Sequence, residues 1–205
     1  MAGKAGVAEA AAREEARIKG RIKALVSGLY DEDMGRRHAS AVALGELARR
    51  APGYVRKMWP RIFYAFDDTM SCWGAAEGVG EIGRNLPGLR HKIIHLLKKF
   101  QRDRSSCQGY VWAVARIGQV DRESVREFVP GLAACLASDE PCMLGQALWA
   151  LGELGVSDER ERIRGFVGDP RETWIYENQG ARLKTVGLIA AEALAKLEGQ
   201  SQNSG

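Results

Sequence analysis

The segment Ser71–Gly83 (SCWGAAEGVGEIG) recurs along this chain, and no fold that ignores the recurrence is admissible. Ser106–Gly118 reads SCQGYVWAVARIG and Cys142–Gly155 reads CMLGQALWALGELG; looser copies occupy Arg37–Ala48 and Gln179–Ala190. Aligned on the residue after the glycine of the G-E-L step, Glu46, Glu81, Arg116, Glu153 and Leu188 follow one another at 35, 35, 37 and 35 residues. A period of that size marks an array of stacked helical units, each of which buries its apolar face only against its neighbours.

Between the copies lie further amphipathic stretches, so each unit reads as a helix pair. Ile18, Ile22, Leu25, Val26 and Leu29 form one stripe of a first helix over residues 5–29. Segments 55–66, 89–100, 123–136 and 159–167 supply the first helix of the later pairs, and the recurring segment supplies the second. Turn residues separate them at Ala51–Gly53, Asn85–Gly88 and Ser138–Pro141. No stretch alternates with a period of two, so β-structure is expected to be negligible. The expected architecture is all-α: one domain over 1–198, with units near 16–50, 53–85, 87–120, 122–156 and 157–198, and a disordered tail at 199–205. The stretch Gly168–Asn178, with Trp174 and Tyr176, reads either as a lip of the binding face or as a disordered insertion.

Glycine inside a helix costs about 1 kcal/mol relative to alanine. Yet Gly45, Gly80, Gly152 and Gly187 stand one residue before the alignment position, and Gly83, Gly118 and Gly155 two after it. Equivalent placement in successive units predicts that the second helices approach too closely for a larger side chain.

The segments ALGELA (43–48), GVGEIG (78–83), AVARIG (113–118) and ALGELG (150–155) resemble the bacterial HEAT-like repeats of the phycobilisome-lyase type. The resemblance covers roughly 16–198. It implies a right-handed α-solenoid, an α-α superhelix of about five helix pairs, whose second helices line a concave face used mostly for protein binding. Some members of that family handle tetrapyrroles, and one branch holds a di-iron centre with His-Glu pairs. This chain has no His-Glu dipeptide.

On that helix face, residues at the alignment position and four and eight before it should lie one above another. They bring together Trp73, Glu77, Glu81, Trp112, Arg116, Trp149 and Glu153, with His38 in the same rows. Three readings stand: the tryptophans pack between repeats while the acids pair with arginine, Trp and Arg are the anchors of a partner-binding groove, or the residues line a small-molecule or cofactor pocket. Cys72, Cys107 and Cys142 each open a second helix, where a thiol can be activated, but burial is the commoner fate of a free cysteine. His91 and His95 share a face without completing a metal-ligand set. No nucleophile elbow, phosphate-binding loop or dinucleotide fingerprint occurs, so neither an enzymatic activity nor a cofactor is expected.

The 30 Lys and Arg are interleaved with 26 Asp and Glu for a net charge of +4, which reads as an ordinary solvated surface. Four scattered cysteines fit a reducing compartment, and no apolar run is long enough to span a membrane. The expectation is a cytoplasmic, bacterial, non-enzymatic scaffold with a protein or peptide partner on its concave face. A tetrapyrrole-handling, lyase- or chaperone-like protein is the alternative. A nucleic-acid-binding array comes third, because Glu46, Glu81 and Glu153 would repel phosphate.

Overall fold

The computed structural model describes residues 2–67, 74–101, 107–177 and 180–202. The chain is mostly helical: α1 (Ala2–Gly28), α2 (Met34–Arg50), α3 (Pro52–Asp67), α4 (Ala75–Asn85), α5 (Pro87–Phe100), α6 (Cys107–Gly118), α7 (Val129–Ala134), α8 (Pro141–Leu154), α9 (Arg160–Arg164) and α10 (Val186–Gln202). The even-numbered helices pack on one another in chain order, α2 on α4, α4 on α6, α6 on α8 and α8 on α10. The odd-numbered helices lie against this row, and the core runs continuously from Ile18 in α1 to Leu197 in α10.

The glycines explain the spacing of the row. A Cβ on Gly80 would stand 2.4 Å from Cα and Cβ of Ala113 on α6, and one on Gly152 would stand 2.8 Å from Cα of Ala193 on α10. Gly155 has a different role. It closes α8 with φ of 69°, and the amide of Val156 returns to the Leu151 carbonyl at 3.1 Å, a left-handed cap that favours glycine.

The outer layer weakens toward the C-terminus. Instead of one helix over 123–136 there is a 3-10 turn (Glu123–Phe128), the short α7 and another 3-10 turn (Cys135–Ala137). Pro130 sits in the first turn of α7, where its missing amide costs nothing but where it cannot continue a helix from upstream. Likewise 159–167 holds only the five residues of α9 after a 3-10 turn.

Two expectations are corrected. Strands β1 (Glu172–Glu177) and β2 (Gly180–Thr185) form an antiparallel hairpin, with Trp174 opposite Leu183 and Tyr176 opposite Ala181. Residues 180–185, expected within the start of the last helix, are strand. The tail is also shorter than expected, because α10 continues through residues 199–202; 203–205 lie outside the described residues.

The hairpin also shifts the alignment of the last unit. Lys196, not Leu188, stands beside Glu153, with which it pairs 43 residues away, and ALAKLEG (193–199) takes the place of ALGELG. Gly187 meets the backbone of Gly168 and Asp169 rather than a neighbouring helix. Among the described residues, no helix is long and apolar enough to cross a membrane.

Candidate binding face beneath the hairpin

The expected rows of side chains do converge on the even-numbered helices, in two groups. The first is aromatic. Trp112 of α6 stacks on Trp149 of α8, with centroids 4.8 Å apart and planes 10° apart. His38 of α2 meets the Trp112 ring edge-on at 4.5 Å, although α4 stands between their helices in the row. The hairpin closes over them. Tyr176 stacks on His38 at 3.9 Å and 5°, presents its edge to Trp112 at 5.7 Å, and donates from its hydroxyl to the Met34 carbonyl at 3.4 Å. Further along β1, Thr173 packs over Gly145 of α8, where a Cβ would stand 2.7 Å from its methyl group.

The hairpin therefore covers what the sequence presents as an open groove. Trp112 retains 1% of its surface and Glu77 3%, while Trp149 stays half-buried. Trp73, the remaining aromatic candidate, lies outside the described residues, as does Cys72.

Glu77 is the unusual member of this group. Its Oε2 and the Trp112 indole N–H have no hydrogen-bond partner among the described residues. Burial pushes its carboxyl up from 4.5 to about 7, opposed by its own backbone amide and by the charge of Arg37. Burial, followed by the charge of Glu77, holds the neighbouring Tyr176 hydroxyl well above its ordinary range.

The sign of the linkage follows. Between pH 4.5 and 7 the folded chain keeps a proton that the unfolded chain has lost, so stability falls as pH rises through that window. Glu77→Gln should flatten that slope and stabilise the fold above pH 7 by as much as about 3 kcal/mol, since each unit is worth about 1.4 kcal/mol. Urea titrations of both proteins at pH 5 and pH 8 check this; parallel pH dependence would exclude Glu77 as the source.

The second group is a polar ladder. Arg116 donates from Nε to Glu81 at 2.5 Å, lays its guanidinium 5.2 Å from the Trp112 centroid, and donates from Nη1 to Gln119 at 2.9 Å. Gln119 passes the chain on to Glu153 at 2.7 Å, and Glu153 accepts from Lys196 of α10. Arg84 of α4 also donates to Gln119. Four of the expected residues, Glu81, Arg116, Glu153 and Trp112, are thus brought together and tied to α4, α6, α8 and α10. Glu46 is not among them; it is exposed and pairs with Arg50.

Gln119 and Lys196 escaped the sequence rows. Gln119 lies three residues past its alignment position, and Lys196 is displaced by the hairpin.

The cysteine described at this face is not an activated thiol. Cys142, the second residue of α8, is half-buried, and burial raises its pKa against the opposing hydrogen bonds with Thr173 and Gln108. Cys107 opens α6. No group of three His, Cys, Asp or Glu side chains among the described residues is arranged to hold a metal ion. No model of a known protein family matches the chain, and no curated protein sequence matches it.

Proposed function

We propose that the chain is a HEAT-like, right-handed α-solenoid that acts as a non-enzymatic scaffold for another protein, with the hairpin as part of the surface it offers. The repeat segments, the chain-order packing of the even-numbered helices and the glycines at their contacts support the solenoid reading. The observation that carries the binding reading is the outer side of the hairpin. Trp174 and Leu183 are direct cross-strand partners, and each keeps 50% of its surface exposed. Buried residues of the same strand, Ile175 and Tyr176, hold the pair in place. A rigidly mounted tryptophan beside an apolar neighbour is the kind of anchor that dominates interface energetics.

The concave face adds a second line of support. It already accepts an extended segment, its own, through an aromatic slot between His38 and Trp112 and a glycine shelf at Gly145. The double variant Trp174→Ala/Leu183→Ala should keep the melting temperature within a few degrees, because surface substitutions alter stability little. It should recover the partner from the source-cell extract at a tenth of the wild-type level or less. Equal recovery by the two proteins would remove the hairpin from the binding surface.

A further inference from the structure

Charge is not evenly spread over the fold, although it is interleaved over most of the sequence. Residues 16–28 of α1, 52–64 of α3 and 87–98 of α5 contain ten Lys and Arg and no Asp or Glu; the remaining 20 basic residues stand against all 26 acidic ones. These three helices belong to the layer away from the hairpin, which contacts α2, α8 and α10.

The same helices frame two apolar clefts. One, of about 410 Å3, has a floor of Ile22, Val26, Met58 and Ile62, with Lys23 and Arg61 at its rim. The other, of about 430 Å3, lies on the opposite flank of α3 and is lined by Trp59, Pro60, Phe63, His91, Lys92 and His95. Among the described residues, neither cleft has an acidic lining residue. Some nearby cations are already engaged, Lys19 and Lys57 by Glu15 and Arg90 by Asp121. Lys23, Arg61 and Lys92 are exposed and have no carboxylate partner among the described residues.

From this arrangement we infer that the α1–α3–α5 layer is a docking surface for an acidic amphipathic helix of a partner protein. The helix sets its apolar side into the cleft between α1 and α3 and its carboxylates against Lys23 and Arg61. Apolar side chains at i, i+3 and i+4 fit a groove between two helices, and flanking charges of opposite sign fix the register and speed the encounter. A nucleic acid is matched less well, because the floor of this cleft is aliphatic and offers no ring for bases to stack on. A lipid surface is matched less well too, because the apolar groups are recessed between helices rather than raised on one amphipathic face. This surface is independent of the Trp174–Leu183 pair.

The test uses the full chain and two fluorescein-labelled 18-residue peptides with the same leucine face, one carrying Glu and the other Lys on its polar face. A scrambled Glu peptide, phosphatidylserine-containing vesicles and a dT oligonucleotide complete the set. The ordered Glu peptide should bind saturably and more tightly at low salt, at least tenfold better than the Lys or scrambled peptide. Lys23→Glu/Arg61→Glu should weaken it at least tenfold at unchanged helicity and melting temperature, while Trp174→Ala/Leu183→Ala leaves it unaltered. Equal binding of the ordered and scrambled Glu peptides, or indifference to the charge reversal, would overturn the proposal. So would binding of the vesicles or oligonucleotide in preference to the Glu peptide.

Discussion

Replacing Gly80 by leucine should abolish the native fold. Even the Cβ of an alanine at this site would stand 2.4 Å from Cα and Cβ of Ala113, well inside any tolerable contact. The obstruction is not a flexible side chain that can turn away. Part of it is the backbone of α6, in the middle of the helix row, so relief requires α4 and α6 to separate. Ala76, Val79, Ala113 and Val114, all with 1% or less of their surface exposed, would lose contacts on both sides of that seam. Overpacking in a closed core costs about 1–3 kcal/mol for a few added methylenes and more where the backbone must move. Gly80→Ala should therefore destabilise by about 2 kcal/mol or more, despite the roughly 1 kcal/mol that helix propensity alone would return. Gly20→Ala is the matched control: Gly20 is helical, with no neighbouring atom near its Cβ position, so propensity should act alone and raise stability. Thermal melts followed by circular dichroism separate the three. A Gly80→Leu protein that melts like wild type would show that the row is not close-packed at this seam.

That argument was open to the sequence because close packing leaves the same glycine in three of the repeats. Gly45, Gly80 and Gly152 occupy one position, and the structure gives each the same kind of neighbour on the next even-numbered helix. The hairpin left no such trace. Its strands are six residues each, and only Thr173 and Ile175 in β1 show the inward alternation of a strand. The second strand, GARLKT, has no alternation, and its glycine and lysine fit a helical repeat equally well. The regular period then concealed the insertion, because Gly187 falls at the expected distance from Gly152 for a reason unrelated to repeat packing. The candidate site was legible to the same degree. Periodicity places Glu81, Arg116, Glu153, Trp112 and Trp149 on one face, since that depends only on helical geometry. The covering of Trp112 depends on Tyr176 arriving from 142 residues beyond Met34, a contact that no local pattern encodes. Charge segregation was hidden similarly: the basic stretches of α1, α3 and α5 alternate in sequence with segments 29–51 and 65–86, which hold eight of the acids, and the average looks bland until the three stretches are set side by side.

Removing the acid from the buried pair Glu81–Arg116 should cost about 3–5 kcal/mol, the range for leaving one partner of a buried ion pair uncompensated. Glu81 retains 1% of its surface and Arg116 9%, so water cannot replace the lost carboxylate without opening the seam between α4 and α6. In Glu81→Met the guanidinium of Arg116 keeps Gln119 and the face of Trp112, but neither neutralises its charge. Arg84 makes the position worse. It too donates to Gln119, and burial together with the nearby charge of Arg116 already disfavours its own cationic form. With Glu81 gone, two cations face each other across an amide that has already turned its NH2 group toward Glu153. Glu81→Met/Arg116→Met removes both members of the pair and should recover most of the loss, because a buried pair often does no better than apolar side chains of similar volume. Urea denaturation of wild type, both single variants and the double variant closes the cycle and isolates the coupling, provided each single variant forms no new contact. The largest loss should belong to Glu81→Met, which strands a charge. Arg116→Met should lose less, because the charge of Arg84 still lies near the carboxylate left behind. If the double variant were as unstable as the sum of the singles, the two residues would act separately, and the ladder from α4 to α10 would not begin at this pair.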